Sequence, residues 1–267
     1  MDSKRVREEY PRFVVPGFTP FDPVELIKQT EKMVCSGSKR KYTNFYATGV
    51  YGGIATGYTV GCCLRCIFCW VDLSREYPER YGQFYSPEEA FGELTKAARK
   101  YGTAKLRISG AEPTLGKEHL LRLLSLVEES MFKLFILETN GIYFGIDESY
   151  VQEVSKCKKV HIRVSLKAGT PQDFARKTGA KPEAFEISFN GIRNLIKHKA
   201  SFHVAAMSAD PRIMSPGERV TLLKKLRAID PALVKSLEEE IVDPYRTTLL
   251  RLEKAGCWLD WEGRRWI

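Results

Sequence analysis

Short apolar runs alternate along this chain with stretches whose apolar positions recur every three to four residues. Residues 54–60 form the first run and lead into a cysteine-rich segment. Similar runs follow at 105–109, 133–138, 160–165 and 202–206, each of a length suited to a buried strand. Between them lie helical patterns. Ser86-Pro87-Glu88-Glu89 reads as a helix start, with a serine cap, a proline in the first turn and acidic residues beside it; that helix runs to about Lys100. Further helices are predicted over 117–129, 148–154, 171–177, 183–199 and 216–228. Residues 233–237 read as a sixth strand, and Asp243-Pro244 opens a last helix that reaches Ala255.

This alternation predicts an α/β fold, a parallel sheet with helices outside it. Six strand–helix units point to a partial (β/α)6 barrel rather than a closed eight-stranded one. In parallel barrels the working groups sit at the carboxyl ends of the strands. Three stretches are expected: an N-terminal extension over 1–53, the barrel over 54–240, and a C-terminal helix and tail over 241–267. The extension carries Pro11, Pro16, Pro20 and Pro23, then a helix over 24–34, and residues 42–53 read as loop or irregular strand.

Cys62, Cys66 and Cys69 lie in one short loop at the end of the first predicted strand, spaced C-x3-C-x2-C. Three thiolates this close can wrap one compact metal centre. A 4Fe–4S cluster has four irons, each of which takes an external ligand, so three cysteines leave one iron open for a substrate or cofactor. A structural zinc site needs a fourth ligand, and the chain has no second C-x2-C pair and no H-x3-H pair. A disulfide framework is a poor reading of seven cysteines, an odd number, in 267 residues. Cys35, Cys63, Cys157 and Cys257 form no dense second set, so one cluster is expected.

The loop resembles the C-x3-C-x-aromatic-C signature of the radical S-adenosylmethionine (radical SAM) superfamily, with Phe68 in the aromatic slot. That resemblance implies a 4Fe–4S cluster and S-adenosylmethionine (SAM) as cofactors, a partial barrel of the radical SAM type, and Phe68 packed near adenine. Ser109-Gly110-Ala111-Glu112-Pro113 is similar to the family's glycine-glycine-glutamate-proline motif, with Ala111 where a second glycine is common. Small residues there admit the methionyl group of SAM, and the resemblance makes Glu112 an acceptor for its ammonium. Thr139-Asn140-Gly141, Ser165-Leu166-Lys167 and Phe174-Ala175-Arg176-Lys177-Thr178-Gly179 resemble stretches of the glycyl-radical-enzyme activating enzymes. By that likeness Asn140, Ser165 and Lys167 reach SAM, and Met207 ends a strand that contacts adenine. The resemblance spans about Ala55 to Glu240, and all its motifs fall at strand ends.

Composition adds bounds. Net charge is +9 and the apolar share is 43%. Local basic clusters stand at Lys39-Arg40-Lys41, at Lys156, Lys158 and Lys159, and at Arg264-Arg265; they suit a solvated face, or an RNA, nucleotide or acidic protein partner. No apolar run approaches the ~18 residues that span a bilayer, so no membrane partner is expected. The charged N-terminus lacks an apolar signal region, and cluster thiolates need a reducing compartment, so a cytoplasmic location is expected. Trp258, Trp261 and Trp266 lie with Arg264 and Arg265 in the tail, either packing a terminus or docking a partner near the barrel mouth.

Three functions remain open. The first is a radical SAM enzyme that cleaves SAM reductively, draws its electron from a donor such as flavodoxin or ferredoxin, and acts on a partner protein. The second is the same chemistry on RNA or a small metabolite. The third is an iron–sulfur electron-transfer protein with a non-catalytic SAM site. Fold-level likeness does not choose among substrates.

Overall fold

In the computed structural model, which describes residues 10–261, the chain enters through helix α1 (Pro23–Val34) and a hairpin of β1 (Cys35–Ser36) and β2 (Lys39–Thr48). The elements then run β3 (Ile54–Thr59), β4 (Gln83–Tyr85), α2 (Pro87–Tyr101), β5 (Lys105–Gly110), α3 (Lys117–Glu129) and β6 (Leu134–Thr139). After α4 (Ile142–Ile146) and α5 (Glu148–Val154) come β7 (Val160–Leu166), α6 (Pro171–Thr178), α7 (Phe185–Lys197) and β8 (Phe202–Ala206). The chain continues through α8 (Pro216–Ile229), α9 (Pro231–Lys235), β9 (Glu238–Glu239) and α10 (Arg246–Lys254).

The strands lie in the order β1-β2-β3-β5-β6-β7-β8-β9, with β4 against β2, and the sheet does not close. From β3 to β9 every neighbouring pair is parallel, which makes six parallel strands as the alternation predicts. Local signals set the helix starts. Ser86 and Glu89 form a reciprocal capping box ahead of α2, and Gly102 closes that helix in the left-handed region. Thr170 and Ser215 cap α6 and α8, each with proline next. Leu106, Ile108, Phe135, Leu137, Ile162, Val164, Val204 and Ala206 are buried in the core. Side chains alternate faces along a strand, so Arg107, Ser109, Glu138, Arg163 and Ser165 fall on the opposite, concave side and line a cavity.

Three expectations need correction. Residues 39–48 are a ten-residue strand antiparallel to β3, where the sequence reads as loop or irregular strand from residue 42. Its aromatic rings pack over Gly57 of β3: Tyr42 stacks on Phe45 with centroids 5.0 Å apart, and a Cβ at Gly57 would stand 3.1 Å from the Phe45 ring. The Lys39-Arg40-Lys41 cluster is not a solvated face, because Arg40 and Lys41 are buried. Residues 231–235 are helix α9, not the expected strand over 233–237. Asp230 caps it through the Ala232 amide with Pro231 behind, and this cap signal outweighs the short apolar run. The sixth parallel strand is the two residues that follow, β9.

Candidate active site

Cys62, Cys66 and Cys69 stand at the carboxyl end of β3 and line a cavity of about 370 Å³. Phe68, Ser109, Gly110, Ala111, Glu112, Asn140, Ser165, Lys167 and Met207 line it too, so every cofactor-site residue expected from the sequence borders one space. Cys35, Cys63, Cys157 and Cys257 do not line it. The loop is pinned to the end of α6, where the amides of Arg65 and Ile67 donate to the carbonyls of Thr178 and Lys177 at 2.8 and 2.9 Å. Behind that contact, the buried Lys177 ammonium meets Glu218 at 2.6 and 2.7 Å.

The turn after β5 is tied to the cysteine loop through the backbone. Ala111 N–H donates to the Thr59 carbonyl at 3.2 Å, and Glu112 N–H to the Gly61 carbonyl at 2.9 Å. Gly110 has φ +95°, and a Cβ there would lie 2.8 Å from the Tyr58 ring and 2.9 Å from the Thr59 amide. Only glycine fits that approach. Arg40 reaches from β2 and donates to the carbonyls of Val60 (2.6 Å), Leu115 (3.0 Å) and Glu112 (3.3 Å), stapling both loops.

Glu112 is buried, and its carboxylate accepts from four protein donors. These are the Thr114 amide (3.1 Å), the Thr114 hydroxyl (2.6 Å), the Thr139 hydroxyl (2.6 Å) and the Asn140 amide (2.9 Å). A carboxylate offers about four acceptor sites, so this one ties the end of β5 to the end of β6. Asn140 is held in turn: its Oδ1 accepts from Ile142 N–H at 2.9 Å, and Nδ2 points to Cys63 Sγ at 3.3 Å and Cys62 Sγ at 3.8 Å. On the far wall Lys167 Nζ donates to Ser165 Oγ at 2.6 Å.

Sequence reasoning missed a charged layer deeper in the barrel. Arg107 donates to Thr56 Oγ1 and to Glu138 Oε1, both at 3.0 Å. Glu138 also accepts from Ser109 Oγ and from the Tyr51 hydroxyl, the latter at 2.9 Å. Arg163 forks onto Glu238 at 2.9 and 3.0 Å and pairs with Glu240. Arg107, Glu138, Arg163 and Glu240 all border the cavity, as do Tyr46, Trp70, Asp243 and Tyr245. The signal was present as Arg107, Glu138 and Arg163, charged residues set within three of the apolar runs.

A hydrogen bond from Cys63 holds the Cys62 thiol down at about 7, against its burial. Burial pushes Cys66 up to about 12, with Lys167 pulling the other way. Bound iron removes such thiol protons outright. Among the described residues no three His, Cys, Asp or Glu side chains are grouped to hold a single metal ion. The three cysteines instead border a common space from separate positions. In a four-iron cluster each cysteine takes its own iron, so the donor set fits that cluster and leaves one iron for SAM.

Two tail tryptophans fall within the described residues. Trp258 is 80% exposed, and the Trp261 ring lies 4.6 Å from the Arg212 guanidinium. Neither lines the cavity; Arg264, Arg265 and Trp266 lie outside the described residues. No helix among those residues is long and apolar enough to cross a membrane.

Comparison with known proteins agrees with this geometry. The sequence model of the Radical SAM superfamily matches residues 57–207. A probable GTP 3',8-cyclase of Methanococcus vannielii is 30% identical over 126 residues, 47% of this chain and 39% of the relative. Another, of Archaeoglobus fulgidus, is 32% identical over 120 residues, 43% of this chain and 37% of the relative. The matched part is thus less than half the length of these curated relatives. Native anSMEcpe with bound AdoMet superposes with a TM-score of 0.50 at 20% identity, over 68% of this chain and 49% of that one, a likeness of fold.

Proposed function

Because the chain belongs to the radical SAM superfamily, we propose that it is an enzyme that cleaves SAM reductively and abstracts hydrogen from a small polar substrate. The observation that carries this reading is the convergence of three cysteines and nine SAM-site candidates from five strand ends on one cavity. When bound, the cluster and SAM together supply a one-electron cleavage that yields the 5'-deoxyadenosyl radical; a low-potential donor such as flavodoxin or ferredoxin provides the electron.

The protein's share is placement. Cys62, Cys66 and Cys69 hold the cluster at the end of β3. The turn over 109–112 brings bare backbone to the cavity, and Glu112 fixes its shape through four accepted hydrogen bonds. Asn140, Ser165 and Lys167 offer polar contacts to SAM from β6 and β7, while Phe68 and Met207 give it apolar walls. Trp70 and Tyr245, with ring centroids 6.4 Å apart, border the cavity at its aromatic edge.

The substrate reading comes from the deeper layer. Its two arginines already face carboxylates, Arg107 on Glu138 and Arg163 on Glu238 and Glu240. A triphosphate carries several negative charges and would meet Glu138, Glu240 and Asp243 with both guanidiniums engaged. A small molecule with donor and acceptor groups matches the lining better, so the cyclases' named reaction is not carried over. A glycine in a partner protein, implied by the activase-like stretches, is the other outcome the assay can return.

The test is anaerobic reconstitution, then SAM and dithionite, with 5'-deoxyadenosine measured. Deuterated candidate substrates follow, scored by label in 5'-deoxyadenosine. A full cluster with no 5'-deoxyadenosine would leave the electron-transfer reading instead.

A further inference from the structure

Three buried guanidiniums stand around the cysteine loop, one on the carbonyl of each cysteine, and Arg75 also borders the cavity. Arg65 Nη1 donates to the Cys62 carbonyl, Arg75 Nη1 to the Cys66 carbonyl and Arg251 Nη1 to the Cys69 carbonyl, each at 2.7 Å. The three side chains are 1–2% exposed. They arrive from different parts of the chain: Arg65 from inside the loop, Arg75 from the segment after it, and Arg251 from α10. Helix α10 adds Thr248 Oγ1 on the Cys69 carbonyl at 3.3 Å and Thr247 Oγ1 on the Trp70 carbonyl at 2.9 Å.

Among the described residues one carboxylate faces this set. Glu76 is fully buried and accepts from Arg75 Nε at 2.9 Å and from Arg251 Nε and Nη2 at 2.7 Å each. Arg65 bonds carbonyls only, those of Pro11, Cys62 and Leu64. Among the described residues, three guanidiniums against one carboxylate leave two uncompensated positive charges packed against the cysteine loop. Away from water such charges act strongly on one another. Uptake of one electron makes an iron–sulfur centre one unit more negative, and nearby charge and hydrogen bonding set its potential.

We propose that Arg65, Arg75 and Arg251 are positioning residues that frame the three cysteines and raise the reduction potential of the cluster, while Glu76 lowers it. The role rests on the radical SAM reading only in requiring the cluster. The electron comes from a low-potential one-electron donor, dithionite in the test. The frame also explains why a helix close to the C-terminus belongs to the site: α10 delivers the guanidinium for the third cysteine.

The test compares the native chain with Glu76→Gln, Arg251→Gln and Arg251→Lys after anaerobic reconstitution. Iron content is measured first. The midpoint potential is then read without SAM, from the electron paramagnetic resonance signal of the reduced cluster at a series of poised potentials. Glu76→Gln should raise the midpoint and Arg251→Gln should lower it, each by at least a tenfold change in the reduced-to-oxidised ratio, 59 mV for one electron. Arg251→Lys keeps the charge and should stay near native. A frame that merely supports the loop would reduce iron content in both neutral variants without opposite shifts in the loaded fraction, and that result overturns the proposal. If Arg251→Gln does not fold, Glu76→Gln decides alone: a raised midpoint supports the charge role, an unchanged or lowered one ends it. A native chain that takes up no iron would refute the functional reading itself, a separate outcome.

Discussion

Replacing Glu112 by alanine removes the acceptor for four donors at once. Two of them, the amides of Thr114 and Asn140, are fixed by the backbone at 3.1 and 2.9 Å. The other two, the hydroxyls of Thr114 and Thr139, can rotate toward other acceptors. A hydrogen bond to a charged group contributes about 1.5–3 kcal/mol, so stranding the two amides should cost about 3–6 kcal/mol, with the hydroxyls adding less. That is a large share of the 5–15 kcal/mol typical of a domain. Urea unfolding of the cluster-free protein, followed by circular dichroism, should show a lower midpoint with an unchanged slope. Glu112→Gln keeps one side-chain oxygen and should lose roughly half as much. SAM affinity of the loaded protein should fall in parallel, because the turn over 109–112 and Asn140 lose their common anchor. If Glu112→Ala unfolds at the native midpoint while SAM affinity collapses, the four bonds are not what the carboxylate is for, and direct contact with the SAM ammonium takes their place.

Alanine at Cys62, Cys66 or Cys69 should abolish iron retention, whereas alanine at Cys35, Cys157 or Cys257 should leave iron content at the native level; Cys63→Ala should also retain iron. Gly110→Ala forces a side chain into the left-handed region and against Tyr58 and Thr59, so it should destabilise the fold by about 1–2 kcal/mol from the backbone alone and weaken SAM binding in calorimetry. His119 donates from Nδ1 to the Ser38 carbonyl and accepts from the Tyr42 hydroxyl at Nε2, both at 2.8 Å, and burial lowers its pKa to about 4. The unfolded chain therefore binds the extra proton between about pH 6.5 and 4, so stability should be full above that window and drop through it by on the order of 3 kcal/mol, with His119→Gln flattening the slope. Truncation after Gly256 spares α10 but removes Trp261 from Arg212 and Leu259 from the core edge, so the thermal midpoint should fall modestly while substrate-free SAM cleavage persists.

The residues that border the candidate site were legible because each is marked by local order. The cysteines are spaced within one loop, and Ser109 to Glu112, Asn140, Ser165, Lys167 and Met207 each follow a run that reads as a strand. The parallel sheet was legible for a similar reason, since strand and helix patterns alternate from residue 87 to 229 once the cysteine loop and β4 are passed. What was missed depends on partners far away in sequence. Residues 39–48 make a strand only because Gly57 leaves room for the rings of Tyr42 and Phe45. Arg40 looked like surface charge, yet its acceptors are Val60, Glu112 and Leu115. Arg251 lies in a helix with an ordinary mix of basic and apolar residues, and nothing near it in sequence points to the carbonyl of Cys69.

Charge inside this barrel is distributed in two distinct ways, and the difference bears on what each region can hold. The layer of Arg107, Glu138, Arg163, Glu238 and Glu240 is paired strand to strand across the concave face. A ligand bearing both an anionic and a cationic group can replace individual pairs partner for partner. A polyanion cannot, because it leaves the carboxylates it displaces without a cation and adds negative charge beside them. Behind Cys62, Cys66 and Cys69 the opposite holds. Among the described residues three guanidiniums face one carboxylate; backbone carbonyls take up most of the remaining donors, and Arg65 Nη2 is left buried without a partner. That surplus suits a permanently anionic neighbour. The barrel thus combines a region of paired charges, able to exchange partners with a passing substrate, and a region of surplus positive charge that suits a resident cluster.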